Sequence, residues 1–286
     1  MCYFCLIKHY LLEMNLKNLI TRTLSGGIYV ALIVLGVITT HWAFVGLCVL
    51  FTFLATNEFI KMTKPDGSTL NHWVDVVGAT SLVALVGVLG IINESLCITA
   101  GVATLLTYLL LRLIIQLYNK KESPINSLAY SIFAFVYIVI PMLSMGVIYE
   151  QSQALLMLIF VMIWMNDTGA FLVGCTIGKR RLFERISPKK SWEGFWGGMA
   201  FSILSGVLYY YLIDKTNGLT FYIIMGVVTS IFATFGDLVE SMFKRSIGVK
   251  DSGNLIPGHG GILDRIDSLL FVLPAMVLYL YIYFVI

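Results

Sequence analysis

Charge is what this chain has least of. Asp, Glu, Lys and Arg make up 12% of its 286 residues, where a soluble domain carries about 25%. With 58% hydrophobic residues and a mean hydropathy of +0.88, the deficit excludes a large soluble core and indicates a polytopic membrane protein. Paired cysteines are lacking too. Cys2 and Cys5 form a CxxC, but no second pair completes a zinc site. Cys48, Cys97 and Cys175 lie in or beside apolar runs and read as packing residues. No linker, repeat or low-complexity stretch points to a second, soluble domain. No small-residue cleavage site follows the short apolar start before Lys17 and Arg22, which argues against a cleaved signal peptide. Residues 1–13 read as an extension ahead of a natural start at Met14.

Long apolar runs are present in number. They fall at about 24–41, 43–60, 74–92, 95–117, 127–148, 153–175, 194–213, 219–237 and 267–286, each near the ~17–25 residues needed to cross a bilayer. The expectation is an all-α protein of about nine transmembrane helices, with tight hairpins at Thr39–His41 and at Asn93–Glu94. Residues 14–160 form an N-terminal helical part. Residues 161–286 form a C-terminal catalytic part with loops at 176–193 and 238–266. With nine spans, Lys215 alone of the 19 Lys and Arg residues falls on the side opposite the N-terminus; Lys61, Arg112, Lys120, Lys121 and both long loops share the N-terminal side. The positive-inside rule makes that side the cytoplasm, so the C-terminus is expected outside. Gly194 and Gly198 form a GxxxG that reads as close helix packing.

The scarce charges are concentrated. SMFKRSIGVKDSGNLIPGHGGILDRID runs from Ser241 to Asp267 and holds Lys244, Arg245, Lys250, Asp251, His259, Asp264 and Arg265, with Asp237 just before it. Positive-inside charge explains the basic residues. It does not explain several Asp and a His among loop glycines at the end of a span, where charge is costly and usually functional. Carboxylates suit a hard cation, Lys and Arg suit phosphate oxygens, and glycine lets backbone approach a ligand. Asp237, Ser241 and Lys244 share a helix face at i, i+4 and i+7. Asp264 and Asp267, at i and i+3, can face one cavity if the last helix begins early. Asn166-Asp167-Thr168-Gly169-Ala170 puts a carboxylate inside the sixth run. Ser187-Pro188-Lys189-Lys190-Ser191-Trp192-Glu193-Gly194 brings two lysines to the mouth of the seventh.

The stretch from Ser241 to Asp267 resembles the signature of the phosphatidate cytidylyltransferase (CDP-diacylglycerol synthase) family, S-x-x-K-R-x4-K-D followed by H-G-G-x-x-D-R-x-D. NDTGA and SPKKSWEG resemble that family as well, in the same order, so the likeness covers the chain from about residue 160 onward. The resemblance implies transfer of a cytidylyl group from CTP to phosphatidic acid. It implies a Mg²⁺ site at Asp237 and Asp264, with Asp251, Asp267 or Asp167 completing or neighbouring it, and is compatible with a second, monovalent cation. Lys244, Arg245, Lys250 and Arg265 would hold phosphates, and His259 would donate to a phosphate oxygen. Ser187, Lys189, Lys190, Ser241, Gly260, Gly261 and Asp167 would contact substrate. The expected setting is the inner (plasma) membrane with the site facing the cytoplasm. The partners are CTP, phosphatidic acid and membrane lipid, with no nucleic acid; a homodimer is compatible with the family. A CTP-dependent polyprenol or lipid kinase, and a transporter with a midplane ion site, are the competing readings.

Overall fold

The computed structural model describes residues 16–63, 68–119, 123–256 and 260–285. His259 and residues 1–13 lie outside them. Among the described residues nine helices are long and apolar enough to cross a membrane. They are α1 (Leu16–Ile38), α2 (His41–Thr63), α3 (Thr69–Ile92), α4 (Glu94–Tyr118), α5 (Pro124–Gln151), α6 (Gln153–Ile177), α7 (Trp192–Leu212), α8 (Gly218–Ile247) and α9 (Leu263–Val285).

Single polar residues make the tight hairpins. Asn93 ends α3 with its own amide on the Leu89 carbonyl, and its side chain accepts from Leu96 N–H at 3.0 Å to start α4. Ser152 does the same between α5 and α6, accepting from Leu155 N–H at 3.3 Å. Each satisfies amides that a helix start leaves unpaired. Inside α5, residues Phe135–Val139 form one wide π-turn just before Pro141. A widened turn accommodates a residue that has no amide to donate.

α2 and α5 have 61% and 56% of their spans buried, while α1 and α4 have 17%, so the former are central and the latter peripheral. In a bilayer such packing rests on close contact and polar pairs rather than on exclusion of water. The expected GxxxG contact lies within the chain. A Cβ on Gly194 would stand 2.9 Å from the Ala170 carbonyl, and one on Gly198 2.7 Å from Asn166 Oδ1, so α7 lies directly against α6. α3, α4 and α5 are tied by a buried ion pair, Arg112 Nε to Asp75 Oδ1 at 3.1 Å. Tyr108 OH at 2.8 Å and Ser131 Oγ at 2.7 Å also donate to Asp75, and Arg112 reaches Gln116 and Ser127. Arg112 is therefore an interior residue of α4 and not a loop charge.

Two boundaries differ from the hydropathy pattern in ways that matter for the site. α8 runs ten residues beyond its apolar part, and α9 starts at Leu263, four residues early. The α6–α7 loop is shorter than expected and carries a small antiparallel hairpin, β1 (Arg181–Phe183) with β2 (Ser187–Ser191).

Candidate active site

The site forms where α8 and α9 cross. A Cβ on Gly236 would lie 2.5 Å from the Asp267 carbonyl oxygen; only glycine allows this approach, and it brings Asp237 beside Asp267. Beyond this contact α8 continues through Glu240, Ser241 and Lys244 and ends at Gly248, whose φ of +77° gives a left-handed cap.

Lys244 and Asp264 make the centre of the first half-site. Lys244 Nζ donates to Asp264 Oδ1 at 2.6 Å and also pairs with Glu240, one turn back on α8. The Asp264 carboxylate accepts further from Ser252 N–H at 3.0 Å and Gly261 N–H at 2.8 Å. All three of these side chains are largely buried. Asp264, expected as an ion ligand beside Asp237, here accepts from a lysine and two loop amides. Gly260 has φ +81°, and a Cβ there would meet Asp264 Oδ2 at 2.5 Å. The Gly260 carbonyl accepts from Ile256 N–H at 2.9 Å and closes the loop.

The second half-site gathers carboxylates. Asp237 pairs with Lys190 Nζ at 2.6 Å and accepts from Ser241 Oγ at 3.3 Å. Asp267 lies within electrostatic reach of Asp237, Asp167 and Lys190, and its own Oδ1 accepts from Ser268 N–H at 2.6 Å. Asp167 also feels Arg265. A cavity of about 300 Å³ opens here, lined by Ser25 and Tyr29 from α1, Trp164 and Asp167 from α6, and Asp264, Arg265 and Asp267 from α9. Lys190 reaches Asp237 from a hairpin that is anchored at its base. Glu193 accepts from Lys179 N–H at 3.0 Å and Arg180 N–H at 3.2 Å, Arg180 C=O accepts from Trp192 N–H at 2.9 Å, and Ser191 caps α7 through Gly194 N–H at 3.1 Å.

The remaining expected residues lie around this core. Lys189, Arg245, Lys250, Asp251 and Arg265 are exposed, and Ser187 and Ser241 are half-buried. Arg245 Nη1 donates to the Val249 carbonyl at 3.3 Å. Among the described residues no three His, Cys, Asp or Glu side chains close round a single point. The donor set at Asp237, Asp267 and Asp167 is nevertheless all carboxylate oxygen. That suits Mg²⁺, which takes one or two carboxylates and completes its shell with water and substrate phosphate.

Two residues of the site were not singled out from sequence. Tyr137, on the π-turn of α5, is buried against Phe133 and Phe243 and faces the charges of Asp267, Glu240 and Asp237. Among the described residues its hydroxyl has no hydrogen-bond partner. Glu58, on α2, accepts from Ser252 Oγ at 3.1 Å and from the amides of Ile262 and Leu263 at 3.0 Å each. The sequence signal for Glu58 was present: a carboxylate inside an apolar run. Tyr137 left none, since a tyrosine among aromatics reads as core.

Known proteins are similar to this chain. Residues 20–283 match the cytidylyltransferase family. A phosphatidate cytidylyltransferase of Staphylococcus saprophyticus is 31% identical over 234 residues, which is 79% of this chain and 85% of that protein. The Staphylococcus epidermidis protein of the same name is 38% identical over 158 residues, 55% of this chain and 61% of that protein. A Staphylococcus aureus one is 49% identical over 119 residues, 41% and 45% respectively. The matched length takes in α1 to α9, the lysine–aspartate centre and the carboxylate cavity together, and the chain belongs to the cytidylyltransferase family.

Proposed function

We propose that this chain transfers the cytidylyl group of CTP to phosphatidic acid, forming CDP-diacylglycerol and releasing pyrophosphate. The observation that carries this reading is the pairing of a buried, doubly held lysine, Lys244, with a carboxylate cavity at the end of a membrane-spanning helix pair. A phosphatidate oxygen attacks the α-phosphorus of CTP, a new P–O bond forms, and the bond to the β-phosphate breaks. Phosphatidate is already an anion, so no general base is required. The protein has to bring two polyanions together and offset their charge. Lys244, fixed by Glu240 and Asp264, offers its ammonium to the phosphate chain. Lys190 can exchange Asp237 for a phosphate oxygen. Arg245, Lys250 and Arg265 add positive charge at the rim. Asp237 and Asp267, with Asp167 nearby, are the residues that would hold Mg²⁺, which supplies charge neutralisation on the triphosphate when bound. His259, outside the described residues, would donate to a phosphate oxygen.

The positive-inside distribution of Lys and Arg supports a cytoplasmic face for this end of the molecule, and the bacterial relatives support the plasma membrane as its location. CTP labelled at the α- or the γ-phosphate separates the reaction classes. With purified protein, phosphatidate and Mg²⁺, the α-label should enter lipid and the γ-label should appear in pyrophosphate. Transfer of the γ-label to lipid would make the chain a CTP-dependent kinase and overturn the proposal.

A further inference from the structure

We infer that Glu58, on α2, is a positioning residue for the transfer reaction: it fixes the loop that in turn fixes Asp264. The inference rests on the activity proposed above. The Glu58 carboxylate is buried, with 7% exposure, nearly 200 positions away in sequence from its partners. It accepts three hydrogen bonds, from Ser252 Oγ, Ile262 N–H and Leu263 N–H. These partners bracket the loop before α9 at both ends. The backbone of the same bracket serves Asp264, through Ser252 N–H and Gly261 N–H. Each end of the loop therefore faces two carboxylates. Glu58 holds it from α2, and Asp264 uses it to aim at Lys244.

The glycines of the loop fit this arrangement. A Cβ on Gly261 would lie 2.3 Å from Glu58 Oε2, and one on Gly253 2.8 Å from Glu58 Oε1. Both positions are cleared for the carboxylate of α2, which gives Gly261 a reason independent of substrate contact. The Ile262 and Leu263 amides belong to the start of α9, where helical amides lack partners and negative charge is favourable. Glu58 thus supplies from another helix the cap that lets α9 begin early enough to carry Asp264. A cavity of about 530 Å³ lies on the outer side of this wall, lined by Asn57, Glu58, Lys61, Asp251 and Ser252. Asp264 faces the carboxylate cavity on the other side.

Glu58→Gln keeps the size but leaves one acceptor oxygen and sets an NH₂ against donors. A loop shifted by an ångström at a transfer site costs about 100-fold in rate. We expect kcat to fall about 10- to 100-fold with KM for phosphatidate within about twofold, and Glu58→Asp to recover part of the loss. In parallel, hydrogen exchange at the amides of Ser252, Gly261, Ile262 and Leu263 should quicken in Glu58→Gln, while exchange in α3 and α4 stays as in wild type. Unchanged exchange at those four amides, or wild-type kcat in the folded fraction of Glu58→Gln, would overturn the assignment. The exchange arm does not depend on which reaction is catalysed. Wild-type protein that forms no CDP-diacylglycerol would instead count against the proposed activity.

Discussion

Replacing Asp264 by Asn tests whether Lys244 and Asp264 act as one unit. In the structure the carboxylate accepts Lys244 Nζ at 2.6 Å on one oxygen and Gly261 N–H at 2.8 Å on the other, with Ser252 N–H across both. Asn has a single acceptor. If its oxygen turns to the amides, its NH₂ meets the ammonium of Lys244, donor against donor. If the oxygen turns to Lys244, the two amides lose their acceptor. Removing one partner of a largely buried pair costs about 3–5 kcal/mol, and each ~1.4 kcal/mol expressed in the transition state is tenfold in rate. The expectation is a loss of about two to three orders of magnitude in kcat. Lys244 keeps Glu240 as a counter-ion, so the fold should survive. The assay is cytidylyl transfer to phosphatidate in mixed micelles, with thermal unfolding followed in the same preparation. Lys244→Ala should lose a similar amount, and the double variant should be no worse than the poorer single one. Turnover in Asp264→Asn within about threefold of wild type, or losses that simply add, would refute the coupled unit.

Other expectations follow from particular contacts. Tyr137→Phe should lower turnover about 5- to 10-fold, the worth of one neutral hydrogen bond, without lowering the unfolding temperature, because the hydroxyl has no partner within the described protein; unchanged kinetics would make Tyr137 a core residue only. Asp75→Ala leaves Arg112 buried without its counter-ion and should destabilise by about 3–5 kcal/mol in detergent unfolding; a loss under ~1 kcal/mol would mean water reaches the pair. In a cysteine-free background, Arg180→Cys should react with impermeant maleimide from the cytoplasmic side and Lys215→Cys from the outer side. Labelling of both from one side would contradict the nine-span alternation.

Much of the fold was legible because hydropathy reports burial in lipid directly. Nine apolar runs became nine helices among the described residues, and the one-residue turn at Asn93 lies where the apolar pattern breaks. What hydropathy misses is a helix that keeps going after it turns polar. The apolar part of α8 stops near Asp237, yet the helix runs on to Ile247, where Lys244 faces Asp264 on α9 rather than solvent. The hairpin at Arg181–Ser191 escaped for a related reason. Its strands, three and five residues long, are too short to show an alternating apolar pattern, and contacts of the neighbouring backbone to Glu193 and Trp192 anchor it. The site residues were legible as types from their cost near hydrocarbon, but not as pairs. Spacing put Asp237 and Lys244 on one face. The structure gives Asp237 to Lys190 and Lys244 to Asp264, a division decided by the α8–α9 crossing at Gly236.

The length of α8 has a consequence for where the reaction happens. At 30 residues the helix is about 45 Å long, against about 30 Å of hydrocarbon. The surplus of roughly 15 Å carries Glu240 and Lys244 out toward the headgroup plane, while Asp237 stays a turn or two deeper. A lipid can then present its phosphate to the site with its acyl chains still in their leaflet, and a water-soluble nucleotide can meet it from the aqueous side. Neither substrate has to cross into the other's solvent. The nucleotide-activated lipid is released where it formed, already in the plane in which the next enzyme must find it by lateral diffusion.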